Sequence, residues 1–167
     1  MTQLNTPTEP KLEFVSSVMA ELDSLQELRE KISDLPSSKR FTDEQIEIIY
    51  GIGYSFFMQG KFDIACGVFQ MMLIYRPLEP RILGAFALCY KRLGQFESAI
   101  PSYSAALVLE PTNLTWAVHM AECLAALGQR DESLTLLEPL IKLAVLDESY
   151  NELRSRAETL RDMLRAE

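Results

Sequence analysis

A spacing of 34 residues recurs through the middle of this 167-residue chain and constrains its fold more than any other feature. In that register Gly60, Gly94 and Gly128 align, as do Gly53, Ala87 and Ala121, then Ala65, Ala99 and Ser133, and Cys89 with Cys123. Large apolar residues keep their places too: Phe56, Tyr90 and Leu124; Phe69, Tyr103 and Leu137; Phe62 and Phe96, with Arg130 departing third. Pro77 and Pro111 align, with Val145 after them. A short unit repeated in tandem cannot bury its apolar face alone and must stack on its neighbours.

Within each copy the apolar spacing is helical, so the reading is all-α: a solenoid of three helix pairs. The pattern resembles the tetratricopeptide repeat, whose unit has this length and folds as two antiparallel helices. The small residues at Gly53, Ala87 and Ala121 and at Ala65, Ala99 and Ser133 let paired helices approach closely. Gly60, Gly94 and Gly128 stand where each first helix must stop, because glycine takes the left-handed C-cap conformation without a Cβ penalty. Pro77 and Pro111 end the second helices. Pro101 and Pro139 fall inside second helices, where a local bend is expected.

The expected organisation is a disordered tail over 1–10, an N-terminal helix and loop over 11–40, and the array over 41–167. Its repeats run at about 46–79, 80–113 and 114–147 and are closed by a capping helix. On the N-terminal helix, Val15, Val18, Leu22, Leu25 and Ile32 form one apolar face that needs a partner, which predicts a weak homodimer. Thr42 with Gln45 reads as a capping box opening the first repeat. Tyr150, Leu153, Ala157, Leu160 and Leu164 make the apolar stripe with which a solenoid closes its last layer.

Charge narrows the partners. Sixteen basic against twenty-four acidic residues give a net charge of −8, so binding a phosphate backbone or an anionic membrane would oppose the whole-molecule field. Nucleic acid and direct membrane insertion are therefore not expected. No apolar run reaches the ~20 residues of a membrane span, and Met1 to Pro10 lacks a signal peptide's apolar core, so the expected location is the cytoplasm. Three cysteines without a CxxC pair fit a reducing compartment.

Catalytic patterns are weak. His119 and Cys123 lie four apart on one helix face, but Cys123 repeats Cys89 at a packing position and reads as a small buried hydrophobe. One histidine and scattered cysteines suggest no metal site, and Gly51-Ile52-Gly53 sits in a helical pattern without the rest of a phosphate loop. The chain is read as a non-enzyme without cofactor.

The positions that the repeat core does not need are more informative. On the first helices, which line the concave side, they are Glu47, Tyr50, Tyr54, Phe57 and Met58, then Arg81, Gly84, Leu88, Lys91 and Arg92, then Thr115, Val118, Glu122 and Ala125. Such a groove is aromatic at one end, small and aliphatic at the centre, and edged by Lys91 and Arg92. It suits an extended apolar peptide whose carbonyls and acidic residues meet the basic edge. The alternative is that Tyr50 and Phe57 pack under the N-terminal helix.

Several short runs carry a narrower resemblance: Tyr50 with Gly60-Lys61-Phe62 and Val68-Phe69-Gln70, Gly94-Gln95-Phe96, Ala99-Ile100, Ser102-Tyr103-Ser104, and above all His119-Met120-Ala121-Glu122-Cys123-Leu124. Over about residues 11–165 the chain resembles the class II chaperones of bacterial type III secretion, the SycD/LcrH/IpgC family. The resemblance implies a chaperone that holds hydrophobic pore-forming translocators apart in the bacterial cytoplasm, binding an extended segment in its groove. Some members of that family assist a transcriptional activator. Carried over by position, Tyr50, Phe57, Phe62 and Tyr103 match aromatic groove places, with Met72 and Tyr75 as companions. Phe57 and Phe62 stand where relatives have tyrosine. With Tyr54, Leu88 and Lys91 these form the expected peptide-binding set. The competing expectation is a general tetratricopeptide adaptor.

Overall fold

Three glycines with φ between 74° and 75° punctuate the computed structural model, which describes residues 27, 28, 30–32, 34–36 and 38–166. The helices are α1 (Asp43–Met58), α2 (Phe62–Tyr75), α3 (Pro80–Arg92), α4 (Phe96–Leu109), α5 (Leu114–Ala126), α6 (Arg130–Ala144) and α7 (Asn151–Ala166), with a 3₁₀ turn at Glu148–Tyr150. Gly60, Gly94 and Gly128 end α1, α3 and α5 in one geometry. The glycine amide donates to a carbonyl three residues back, and the next amide reaches five back, from Lys61 to Phe56, Gln95 to Tyr90 and Gln129 to Leu124. This is the Schellman cap, and it makes the turn between paired helices the same in every copy.

At the other end of α1 the expected capping box forms: Thr42 Oγ1 accepts from the Gln45 amide, and Gln45 Oε1 accepts from the Thr42 amide. The helices run without interruption through Pro101 and Pro139, and both prolines are exposed.

Consecutive helices pack antiparallel, and the first helices also meet one another, α3 touching α5 and α5 touching α7. The small-residue layer is closed throughout, with Ala65, Ala87, Ala99, Ala121 and Ser133 at 0% exposure. Ser133 keeps its place because its hydroxyl donates to the Ala121 carbonyl at 2.9 Å. At Gly53 a Cβ would stand 2.9 Å from the Phe69 ring, so the first repeat trades its alanine for a larger aromatic. The closing helix turns Ala157 and Leu164 into the core, with Tyr150, Leu153 and Leu160 partly buried on it.

Of the apolar face expected on the N-terminal helix, Val15, Val18, Leu22 and Leu25 lie outside the described residues. Ile32 is helical and half-buried, and its carbonyl accepts from Ser38 Oγ at 2.6 Å.

Candidate functional site

The concave surface is built from α1, α3, α5 and α7, and two adjoining clefts share Leu88. The apolar one, about 90 Å³, is walled by Tyr50, Tyr54, Phe57, Leu88 and Trp116, with Phe69, Gly84 and Ala85 behind. Tyr54 and Phe57 lie nearly parallel at 6.4 Å, Tyr50 tilts against Phe69 at 5.4 Å, and Phe57 meets Phe62 at 5.1 Å. Arg81 spreads its guanidinium 4.3 Å from the Tyr50 ring centre while pairing with Glu47. Burial pushes the Tyr50 phenol above its ordinary value despite Arg81, so its hydroxyl stays a neutral donor.

Trp116 is the wall residue that the repeat pattern did not single out. Its ring lies where a side chain on Gly84 would stand, since a Cβ there would come within 2.3 Å of it. Glycine at 84 is required by this contact, not by backbone conformation. The signal was present: Gly84 interrupts a series otherwise held by Tyr50 and Val118, and an empty place in one helix invites a large ring from the next. Val118, expected on the groove, is fully buried instead.

The second cleft, about 360 Å³, is lined by Leu88, Lys91, Arg92, Phe96, His119 and Arg156. Lys91, expected as a free basic edge, is instead held by Glu122 and lies 3.0 Å from His119 Nδ1. Arg156, from the closing helix, pairs through Nε with the other oxygen of Glu122 and brings Nη2 to 3.4 Å from the same imidazole nitrogen. Burial opposes the charge on Glu122, but hydrogen bonds from His119 and Lys91 and the charges of Lys91 and Arg156 win and hold its carboxyl at about 2. Burial lowers the His119 pKa, and Lys91 and Arg156 add to that against the pull of Glu122. His119 is accordingly neutral, and its Nδ1 lies within hydrogen-bonding distance of Lys91 Nζ, Arg156 Nη2 and Glu122 Oε2.

The remaining expected groove residues separate. Met72 and Tyr103 are fully buried, so they do not line the groove. Both belong to second helices, whose inward side chains fill the layer between pairs. Met72 packs with Ile46 and Ile82, and Tyr103 lies beneath the groove floor, stacked on Trp116 at 6.4 Å and His119 at 5.6 Å. Tyr75 faces a different cleft at the start of the array, edge-on to Phe41 at 4.8 Å.

Cys123 is fully buried, and burial pushes its thiol up to about 11. His119, with its Nδ1 turned to Lys91, Arg156 and Glu122, forms part of an ionic brace.

A tetratricopeptide-repeat family model matches residues 90–157, spanning the end of α3 to the middle of α7. The fold is a tetratricopeptide-repeat array. In sequence this array is similar to Low calcium response locus protein H of Yersinia pestis, 23% identical over 124 residues that make up 74% of each chain. Among solved structures it is similar to the type III secretion chaperone SycD of Yersinia enterocolitica in complex with a peptide of the translocator YopD. That match has a TM-score of 0.72 and 24% identity and covers 76% of this chain and 97% of that one. The array is also similar to PcrH of Pseudomonas aeruginosa in complex with the chaperone binding region of PopB, with a TM-score of 0.69 and 25% identity, covering 72% of this chain and 98% of that one. These likenesses extend over about three quarters of the chain and show the fold of the array. Among its described residues no helix is long and apolar enough to cross a membrane.

Proposed function

We propose that the protein is a cytoplasmic, non-enzymatic chaperone of type III secretion translocators that binds an extended cargo segment in the concave groove. The observation that carries this reading is the open aromatic cleft of Tyr50, Tyr54, Phe57 and Trp116 on the concave face. Folded relatives of the same array were solved with translocator segments, which supports it. A pore-forming translocator exposes membrane-seeking surface that would aggregate in water. Covering one of its segments in a groove that is already formed keeps it soluble with little ordering cost to the receptor.

The test is titration of translocator peptides, such as the chaperone binding region of PopB and the YopD peptide, into wild type and into Tyr50→Ala and Phe57→Ala. Binding by wild type and its loss in the variants support the reading. No binding to any translocator segment, in either protein, overturns it.

A weak homodimer belongs to the same reading. Its support is the Val15, Val18, Leu22 and Leu25 stripe together with Ile48, Ile52 and Ile74, which are exposed on α1 and α2. Replacing Leu22 and Leu25 by Glu should shift sedimentation to the monomer, and one mass for both proteins would remove the dimer.

A further inference from the structure

The charged end of the groove holds more positive charge than an apolar ligand needs. Lys91, Arg92 and Arg156 line one cleft, and Glu122 pairs with two of them, in a protein whose net charge is −8. Lys91 is committed to Glu122 and His119. Glu122 is ionised and engages Arg156 only through Nε, leaving that side chain 48% exposed. Arg92 is exposed and makes no ion pair among the described residues. Its guanidinium lies 5.9 Å from the Phe57 ring centre, where the apolar and charged clefts meet. Two guanidiniums therefore face an open cleft with donors unspent, and their planar forks match a carboxylate better than an ammonium does.

We propose that this end of the groove reads an Asp or Glu side chain of the cargo, close in sequence to the apolar residue seated against Tyr50, Phe57 and Trp116. The inference rests on the proposed groove reading and adds the chemistry of the second contact. Because the clefts share Leu88, one extended segment crosses from the aromatic walls to Arg92 and Arg156. Helix α7 is then part of the recognition surface, through Arg156.

The probe is a set of acetylated, amidated peptides of Leu, Pro, Ala and Ser with one Glu moved along successive positions, each with a Gln counterpart. At one position the Glu peptide is expected to bind about tenfold more tightly than its Gln counterpart, an advantage that fades as salt rises. Arg92→Gln, which breaks no ion pair among the described residues, should abolish the advantage, whereas Tyr50→Ala should weaken both peptides alike. Equal binding of Glu and Gln peptides at every position, with Tyr50→Ala still harmful, overturns the acidic contact and leaves the groove standing. An advantage seen only for a free C-terminal carboxylate replaces it with capture of a chain end. Binding of none of the peptides overturns the contact, and the translocator titration then decides separately on the groove.

Discussion

Glu122 and Arg156 lie 34 residues apart and form an ion pair across the concave surface. Glu47 and Arg81 repeat the relationship two layers earlier with the same separation. The two pairs occupy different tracks of the repeat, yet both link a first helix to the next first helix. Arg156 shows that α7 sits in the register of a fourth first helix: Ala157 takes the place held by Cys89 and Cys123, and all three are fully buried.

The brace around Glu122 makes the array acid-sensitive. The folded carboxyl, at about 2, lies below its ordinary 4.5, so its stabilisation is complete above about pH 4.5 and is lost as pH falls toward 2. By linkage that contribution is on the order of 3 kcal/mol. His119, whose pKa is also lowered, acts in the same direction, its protonation in the unfolded chain opposing folding as pH drops below 6.5. Urea unfolding at successive pH values should show the decline, and Glu122→Gln should flatten it below pH 4.5 while lowering stability at neutral pH by about 2–3 kcal/mol. An unchanged slope in the variant would place the acid sensitivity elsewhere.

Trp116, the only tryptophan in the chain, is a built-in reporter of the groove. Gly84→Ala should force its ring off α3, because no Cβ fits within 2.3 Å of it. A net loss of about 1–2 kcal/mol is expected, overpacking outweighing the better helix propensity of alanine. Trp emission should move to the red and cargo affinity should fall with it. A variant with unshifted emission would mean that the ring never rested there.

Groove and core aromatics should separate cleanly. Tyr50→Ala or Phe57→Ala removes an anchor of about 2 kcal/mol, a loss of roughly thirtyfold in affinity for an extended cargo peptide. Tyr103→Phe should leave affinity unchanged, and stability unchanged or higher by up to about 1 kcal/mol, because the buried Tyr103 hydroxyl has no hydrogen-bond partner. Isothermal titration beside thermal melts distinguishes the two groups.

The thiols should be inert while the chain is folded. Cys66, Cys89 and Cys123 are buried, and burial pushes Cys89 up to about 12 and Cys123 up to about 11. Since the thiolate is the reactive form, an aromatic disulfide reagent at pH 8 should label them only at the rate of unfolding. Fast labelling of the native protein would contradict their burial.

What the sequence determined by itself is everything governed by local geometry. A period of 34 residues, the glycines at 60, 94 and 128, and the Thr42–Gln45 pair specify where helices begin, stop and turn, because caps and φ angles depend only on neighbours along the chain. The small residues at 65, 99 and 133 likewise announced the close-packed layer. The tertiary structure alone decided which long side chains cross from one helix to the next. Periodicity assigns a residue to a face, but reach depends on the rotamer and on what stands opposite. Tyr103, expected on the groove, therefore sinks beneath its floor, and Trp116, to which the repeat pattern gave no place, covers Gly84. Lys91, read as a free cation, is held by a carboxylate from α5, and the cation that joins Arg92 at the groove comes from α7, 65 residues away from Lys91 along the chain. Such pairings depend on how the layers stack, which no single repeat encodes.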